Sequence, residues 1–311
     1  MKKFFPGKGG FLKYITLCVI VLLLFYVTLP HVAHADASVR YAVQPIYPEN
    51  QRPDKPGHFN LAVSSGQQQE LHVEVQNLGD HTAYIEVSAN AAYTNSNGIL
   101  EYAPSAANLA ALLSSNEFPF SDIITIENPL LTIAPGETET AIFMLRLPNV
   151  PFPGVLLGGL HFVESLEMQS KHLQEEGATE SIAGGTGVSN RMAYAIPIVL
   201  RENETVAPPS FSLASICFDS QYADALRLTL ENTEARISHL QNFSVELYNL
   251  FDPDTLVESL SLSQVQMAPY ARPELRLWRG TSDLPAPGVY QVVVRFTCED
   301  VTYTFETLLW V

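Results

Sequence analysis

Glu70-Leu71-His72-Val73-Glu74-Val75-Gln76 alternates without a break, with Leu71, Val73 and Val75 on one side and Glu70, His72, Glu74 and Gln76 on the other. A period of two residues is that of a strand buried on one face only. Working outward, Ala83–Val87, Ala225–Leu230 and Val289–Phe296 repeat the alternation. Turn chemistry separates such runs: Leu78-Gly79-Asp80, Asn97-Gly98, Pro135-Gly136 and Pro287-Gly288. Only the short run Ala106–Ser114 reads as helix. Each half of the chain supplies seven or more short strands at turn spacing, which predicts an all-β protein of two immunoglobulin-like β-sandwich domains in tandem. A single elongated β-structure is the alternative architecture.

Two polar stretches interrupt the pattern. Ser165–Gly187 carries charges and glycines with almost no apolar period, and is expected to be a loop or hairpin tip. It lies between a strand ending near Val163 and another from Val188 to Leu200. Glu202–Ser210 contains Pro208 and Pro209 and no apolar run, which marks a linker. The expected organisation is therefore a leader over 1–35, a first domain over 36–201, a linker over 202–209 and a second domain over 210–311.

The leader has the form of a secretory signal. Lys2, Lys3, Lys8 and Lys13 precede an uncharged apolar run, Tyr14–Leu29, and Ala33-His34-Ala35 supplies an A-x-A cleavage site. As a helix that run would span roughly 24 Å, short of the ~30 Å hydrocarbon core. Cleavage would leave a mature chain starting at Asp36; retention as an anchor is the alternative. The leader takes four lysines and no acid with it, so 13 basic face 33 acidic side chains in the remainder. A net charge near −20 argues against nucleic acid as a partner, since that surface rewards Lys and Arg. It argues equally against electrostatic capture by anionic wall polymers or lipid. Export also favours pairing of the two cysteines that outlast the leader, and a Cys217–Cys298 bridge is expected, with two separate buried thiols as the alternative.

Two segments are candidate ligand contacts. In the first, Pro45 and Pro48 force the chain off the sheet beside Tyr47, Glu49, Asn50 and Gln51, an aromatic with hydrogen-bonding neighbours. Those side chains could equally satisfy the backbone of their own turn. In the second, Tyr93, Thr94 and Asn95 lead into the hairpin signal Asn97-Gly98. This has the character of a sugar-binding edge, or of a purely structural hairpin. Val155-Leu156-Leu157-Gly158-Gly159-Leu160 is a third point of interest. Its glycines imply close approach of another group, either in the core or at an edge that accepts a partner strand. Nothing in the chain suggests catalysis. There is no Gly-x-Ser-x-Gly elbow, no His-Glu-x-x-His, no carboxylate pair that stands out and no phosphate loop, so no catalytic, metal-binding or cofactor-binding residue is assigned.

Five phrases in fixed order resemble one family. They are YAVQPIYPENQ (41–51), FNLAVSSGQQQELHVEVQN (59–77), NAAYTNSNGILEY (90–102), LTIAPGETETAIFMLRLP (131–148) and PFPGVLLGGLHF (151–162), closed by NRMAYAI (190–196). The segment from Val39 to about Arg201 is similar to the peptidoglycan-binding domain of the WxL-interacting proteins, cell-surface proteins of Gram-positive bacteria. From Pro208 onward Leu228–Asn232, Met267-Ala268-Pro269 and Gly288-Val289-Tyr290 resemble the family's second, host-binding domain. Tyr270-Ala271 stands where the family usually has Asn-Ser, and the chain given stops at Val311 where the family usually continues into a membrane helix and basic tail. The resemblance implies a non-enzymatic scaffold with three kinds of partner: peptidoglycan, WxL-type surface proteins and host extracellular matrix. An exported two-domain chaperone for surface fibres is the alternative role.

Overall fold

A computed structural model describes residues 40–53, 56–103, 120–165, 167–168, 191–205, 207–219, 222, 225–281 and 283–311. The leader, the helix expected at Ala106–Ser114, most of the polar stretch Ser165–Gly187 and the start of the strand expected from Val188 lie outside them. Among the described residues no helix is long and apolar enough to cross a membrane. Residues from Val39 to Val311 form one compact unit.

The first half builds a sandwich of two sheets. One contains β1 (Tyr41–Ile46), β3 (Gln68–Asn77), β9 (Thr138–Arg146) and β7 (Ile124–Ile126) in the order β1-β3-β9-β7. The other contains β2 (Phe59–Ala62), β11 (Ala193–Arg201), β10 (Leu156–Glu164), β4 (Ala83–Ala91) and β8 (Leu130–Ile133) in the order β2-β11-β10-β4-β8. Their pairs are antiparallel except β2 with β11. Alternation decides which side chains enter the core: Leu71, Val73 and Val75 of β3 are buried, as the sequence pattern predicts, against Phe143, Phe162, Ile85 and Ile198. Tyr41 ties the layers together. It begins β1 in one sheet, and its hydroxyl donates to the carbonyls of Phe162 (3.0 Å) on the other sheet and Met192 (2.9 Å) just before it.

The second half builds a smaller sandwich. β12 (Phe211–Phe218), β13 (Ala225–Asn232) and β16 (Glu274–Trp278) form a sheet in the order β12-β13-β16. β14 (Ser238–Asn249), β15 (Asp252–Met267), β17 (Val289–Cys298) and β18 (Val301–Trp310) form its partner in the order β15-β14-β17-β18. Phe243, Phe296 and Tyr303 stack through the centre between them, with Phe211 edge-on.

The two halves share no repeated sequence, yet apart from β2 and β7, which have no counterpart in the second, their wiring is the same. Strands β1-β3-β9 correspond to β12-β13-β16, and β8-β4-β10-β11 to β15-β14-β17-β18, every pair antiparallel. One polar corner is duplicated with it. Asn77, the last residue of β3, donates through Nδ2 to the carbonyls of His81 (2.8 Å) and Ile133 (2.9 Å) and accepts from the Gly79 amide. Asn232, the last residue of β13, donates to the carbonyls of Arg236 and Ala268 (both 2.8 Å) and accepts from the Glu234 amide. Both asparagines are buried, and a buried amide with its hydrogen bonds met is a stable way to turn a strand.

Candidate functional site

Pro45 does not end the strand: it lies within β1 opposite Val73, which an edge strand tolerates, and the chain leaves the sheet after Ile46, just ahead of Pro48. Gln51 then forms an isolated bridge with Leu61 of β2, and its amide closes a turn on the Pro48 carbonyl. Its side chain accepts from the Asn60 amide (3.1 Å) and donates to the His58 carbonyl (3.3 Å). Asn50 Nδ2 donates to the Ala62 carbonyl at 2.8 Å. These amide groups therefore hold the loop against β2. Tyr47 and Glu49 do face solvent, beside exposed Ile46. The Tyr47 ring stands edge-on to Phe59 with centroids 6.2 Å apart, and its hydroxyl accepts from the Gly57 amide at 2.7 Å. Fixed at both ends, the ring is a preformed apolar platform of the kind that stacks on a sugar. Beside the loop Arg52 grips Glu204 with two parallel bonds of 2.5 and 2.6 Å. Those hydrogen bonds hold the Glu204 carboxyl below the ordinary carboxylate range.

The second candidate segment is a hairpin, β5 (Tyr93–Thr94) with β6 (Leu100–Glu101), and it faces the second sandwich. Asn95 Oδ1 accepts from the Asn97 and Ile99 amides, which shapes the tip. Glu101 accepts from the Tyr93 hydroxyl and Asn95 Nδ2, both at 2.5 Å. The buried Thr94 hydroxyl donates to the Gln266 carbonyl at 2.9 Å and accepts from the Ala268 amide at 3.0 Å. Gln266 donates to the Gly98 carbonyl and Arg276 to the Ser96 carbonyl through their backbone amides. Gly98 has φ +77°, and a Cβ there would lie 2.9 Å from Val265 Cγ2, so both the turn and the contact call for glycine. Around these bonds Ala92, Val155, Leu157 and Val199 pack on Ala268 and Ala271. Tyr93, Thr94 and Asn95 thus serve a clasp between the sandwiches, and Asn97 alone of the four candidates is exposed.

The glycine pair of β10 is explained by aromatic rings on its two faces. A Cβ at Gly158 would enter the Phe120 ring, which the single-turn helix α1 (Phe120–Ile123) presents; one at Gly159 would lie 2.6 Å from the Tyr102 ring. β10 is paired on both edges, with β4 and β11, so it is not an edge open to a partner strand.

The expected Cys217–Cys298 bridge is not formed: both thiols are free. The alternation of the strands accounts for this. On β12 Ile216 and Phe218 turn to the core, which puts Cys217 on the outer face, where Arg227 donates to its Sγ at 3.6 Å. Cys298 lies in the core itself. Among the described residues no group of three or more His, Cys, Asp and Glu side chains is placed to hold a metal. Phe251 and Trp310 of the second sandwich are exposed although neither is among the expected contacts. Their signal was an aromatic falling in a turn, or on the outward phase of an edge strand, where polar residues are the norm.

Residues 41–164 match the sequence model described as the WxL Interacting Protein peptidoglycan binding domain. Residues 183–310 match that of the WxL Interacting Protein host binding domain, a span that begins before β11. No curated protein sequence matches the chain. Similar solved structures include the YadV chaperone, 9% identical over 87% of this chain and 100% of that one, with TM-score 0.33. The CupB2 chaperone of Pseudomonas aeruginosa is 10% identical over 77% and 92%, with TM-score 0.30. The CsuC-CsuE chaperone-tip adhesion subunit pre-assembly complex of Acinetobacter baumannii is 16% identical over 73% and 89%, with TM-score 0.33. Likenesses this distant carry nothing about function.

Proposed function

Because the chain belongs to the WxL-interacting protein family, with its peptidoglycan-binding and host-binding domains in tandem, we propose that it is a non-enzymatic scaffold of the bacterial cell surface. In this reading residues 36–201 attach to peptidoglycan, and residues 210–311 engage protein: WxL-type surface proteins held in the same complex, and host matrix. The observation that carries it is the presence of both family domains within one compact unit. Tyr47, with Glu49 beside it, is the contact proposed for the wall, because its ring is exposed and held while the Asn50 and Gln51 side chains are engaged in holding the loop against β2.

The acid excess of the chain decides the form of the test. A polyanion cannot be drawn to an anionic wall by charge, so binding through stacking and hydrogen bonds should change little with salt. Sedimentation of the chain with purified peptidoglycan at low and high salt should give equal bound fractions, and Tyr47→Ala should lower both. Binding that collapses as salt rises, or no sedimentation at all, would refute the wall assignment. A purified WxL-domain protein should then be retained on the chain at the wall. Its release on arrival there would be the behaviour of an exported chaperone instead.

A further inference from the structure

The outer face of sheet β15-β14-β17-β18 carries apolar side chains that its own fold leaves in water. Tyr248 of β14 stands opposite Leu256 of β15 on one side and Gln291 of β17 on the other; Gln291 in turn stands opposite Leu308 of β18. The next pair along β17 and β18 on the same face is Val289 with Trp310. Residues directly opposite in antiparallel strands have Cβ atoms about 5 Å apart, so these side chains form one continuous row. Trp310 is 75% exposed, Leu256 50% and Leu308 49%. At the β14–β15 turn, beside this row, Phe251 is 86% exposed. Isolated surface hydrophobics need no explanation, but a Trp and a Phe grouped with two leucines at one end of one sheet have the composition of an interface centre.

The charges around the patch narrow what can cover it. Asp252 and Asp254 open β15 beside Phe251, and Glu306 lies next to Leu308 on β18. None of the three is in an ion pair among the described residues; Asp252 accepts from Thr255 Oγ1 and Glu306 from Gln291 Nε2. The cation on this face, Arg295, is already bonded to Glu246. A second copy of this acidic chain, or an anionic wall polymer, would meet like charge there. The β14–β15 connection is the counterpart of the connection between β4 and β8, which in the first sandwich carries the hairpin that grips the second sandwich of the same chain.

We propose that the Phe251–Trp310 face is a docking surface for a cationic, amphipathic surface of a partner protein, apolar at its centre and rimmed by Lys or Arg. The proposal rests on the reading of the second domain as protein-binding and names the face that does it. Desolvated aromatics would supply the affinity, and Asp252, Asp254 and Glu306 the rate of encounter and the choice of partner.

The test uses the whole chain and two immobilised 18-residue helical peptides with the same leucine face, one with lysine and one with glutamate on the polar face. The lysine peptide should bind and the glutamate peptide should not. Phe251→Ser with Trp310→Ser should weaken lysine-peptide binding at least tenfold at unchanged melting temperature, and Asp252→Asn with Asp254→Asn and Glu306→Gln should mainly slow association. No binding of the lysine peptide, equal binding of both peptides, or binding unaffected by the Phe251/Trp310 variant would each overturn the proposal. So would self-association in sedimentation velocity that this variant abolishes, since the face would then be closed by a second copy. Adhesion of the chain to basement-membrane extract, measured in parallel, separates the two levels. Adhesion that survives in the variant overturns only the docking face; a parent chain that does not adhere overturns host binding itself.

Discussion

His161 sits on β10 between Ser88 of β4 and Ala195 of β11, where burial, and secondarily the nearby Arg191 guanidinium, hold its pKa below the ordinary 6.5. The folded chain therefore keeps this ring neutral in a range where the unfolded chain protonates it. Its contribution to stability is complete above pH 6.5 and is lost as pH falls from there toward the depressed folded value. The melting temperature should drop between pH 7 and pH 5, and His161→Gln should flatten that part of the profile. The cysteines give a second check at this scale. Alkylation of the native protein followed by peptide mapping should label the half-buried Cys217 and spare Cys298, which is 2% exposed and whose thiol burial pushes up. Gly159→Ala gives a third. The added methyl would collide with the Tyr102 ring and should cost about 1–3 kcal/mol, read by thermal melting. Burial pushes the Tyr102 phenol up to about 12, and a displaced ring should titrate closer to 10. The sequence showed that Gly158 and Gly159 admit something close, because only glycine lacks a Cβ. It could not show which rings, since Tyr102 and Phe120 reach β10 from distant points of the chain.

At the scale of elements, the hairpin β5–β6 has the strongest local signal in the sequence and the least local purpose. Asn97-Gly98 gave the turn correctly, because φ at Gly98 is a property of two neighbouring residues. What the hairpin holds was not legible: Gln266 and Ala268 lie about 170 residues further on, and Thr94 reads alike as a sugar contact or a buried clamp. Thr94→Val keeps the shape of the side chain and removes both of its hydrogen bonds, leaving the Ala268 amide without its acceptor. The expected loss is about 1–3 kcal/mol, with earlier proteolytic cutting around residues 266–272. The strands themselves were legible wherever one face meets water, as in β3, where every second residue is apolar. The disulfide expectation failed for the same physical reason that the strands succeeded. A one-residue change of phase carries a side chain through the sheet, and Cys217 stands on the outward phase of β12.

At the scale of the molecule, two sandwiches of the same wiring are joined by more than the chain between β11 and β12. The clasp gives them a shared apolar contact and several hydrogen bonds. Calorimetry on the parent chain should therefore show one cooperative transition over both sandwiches, and Thr94→Val with Gly98→Val should split it in two. The two-residue alternation and the turn residues between its runs foretold the all-β class. They could not foretell the shared topology, because strand order depends on which apolar faces meet and not on the identity of the residues that meet. The clasp also bears on avidity. For a chain that holds one ligand on each sandwich, a flexible tether would let the second site sweep a wide volume at low effective concentration. Held at a fixed separation, the second site meets only ligands presented at a matching distance, and there its effective concentration is high. Such a chain works as a gauge of spacing, selecting partners by where they stand as well as by what they are.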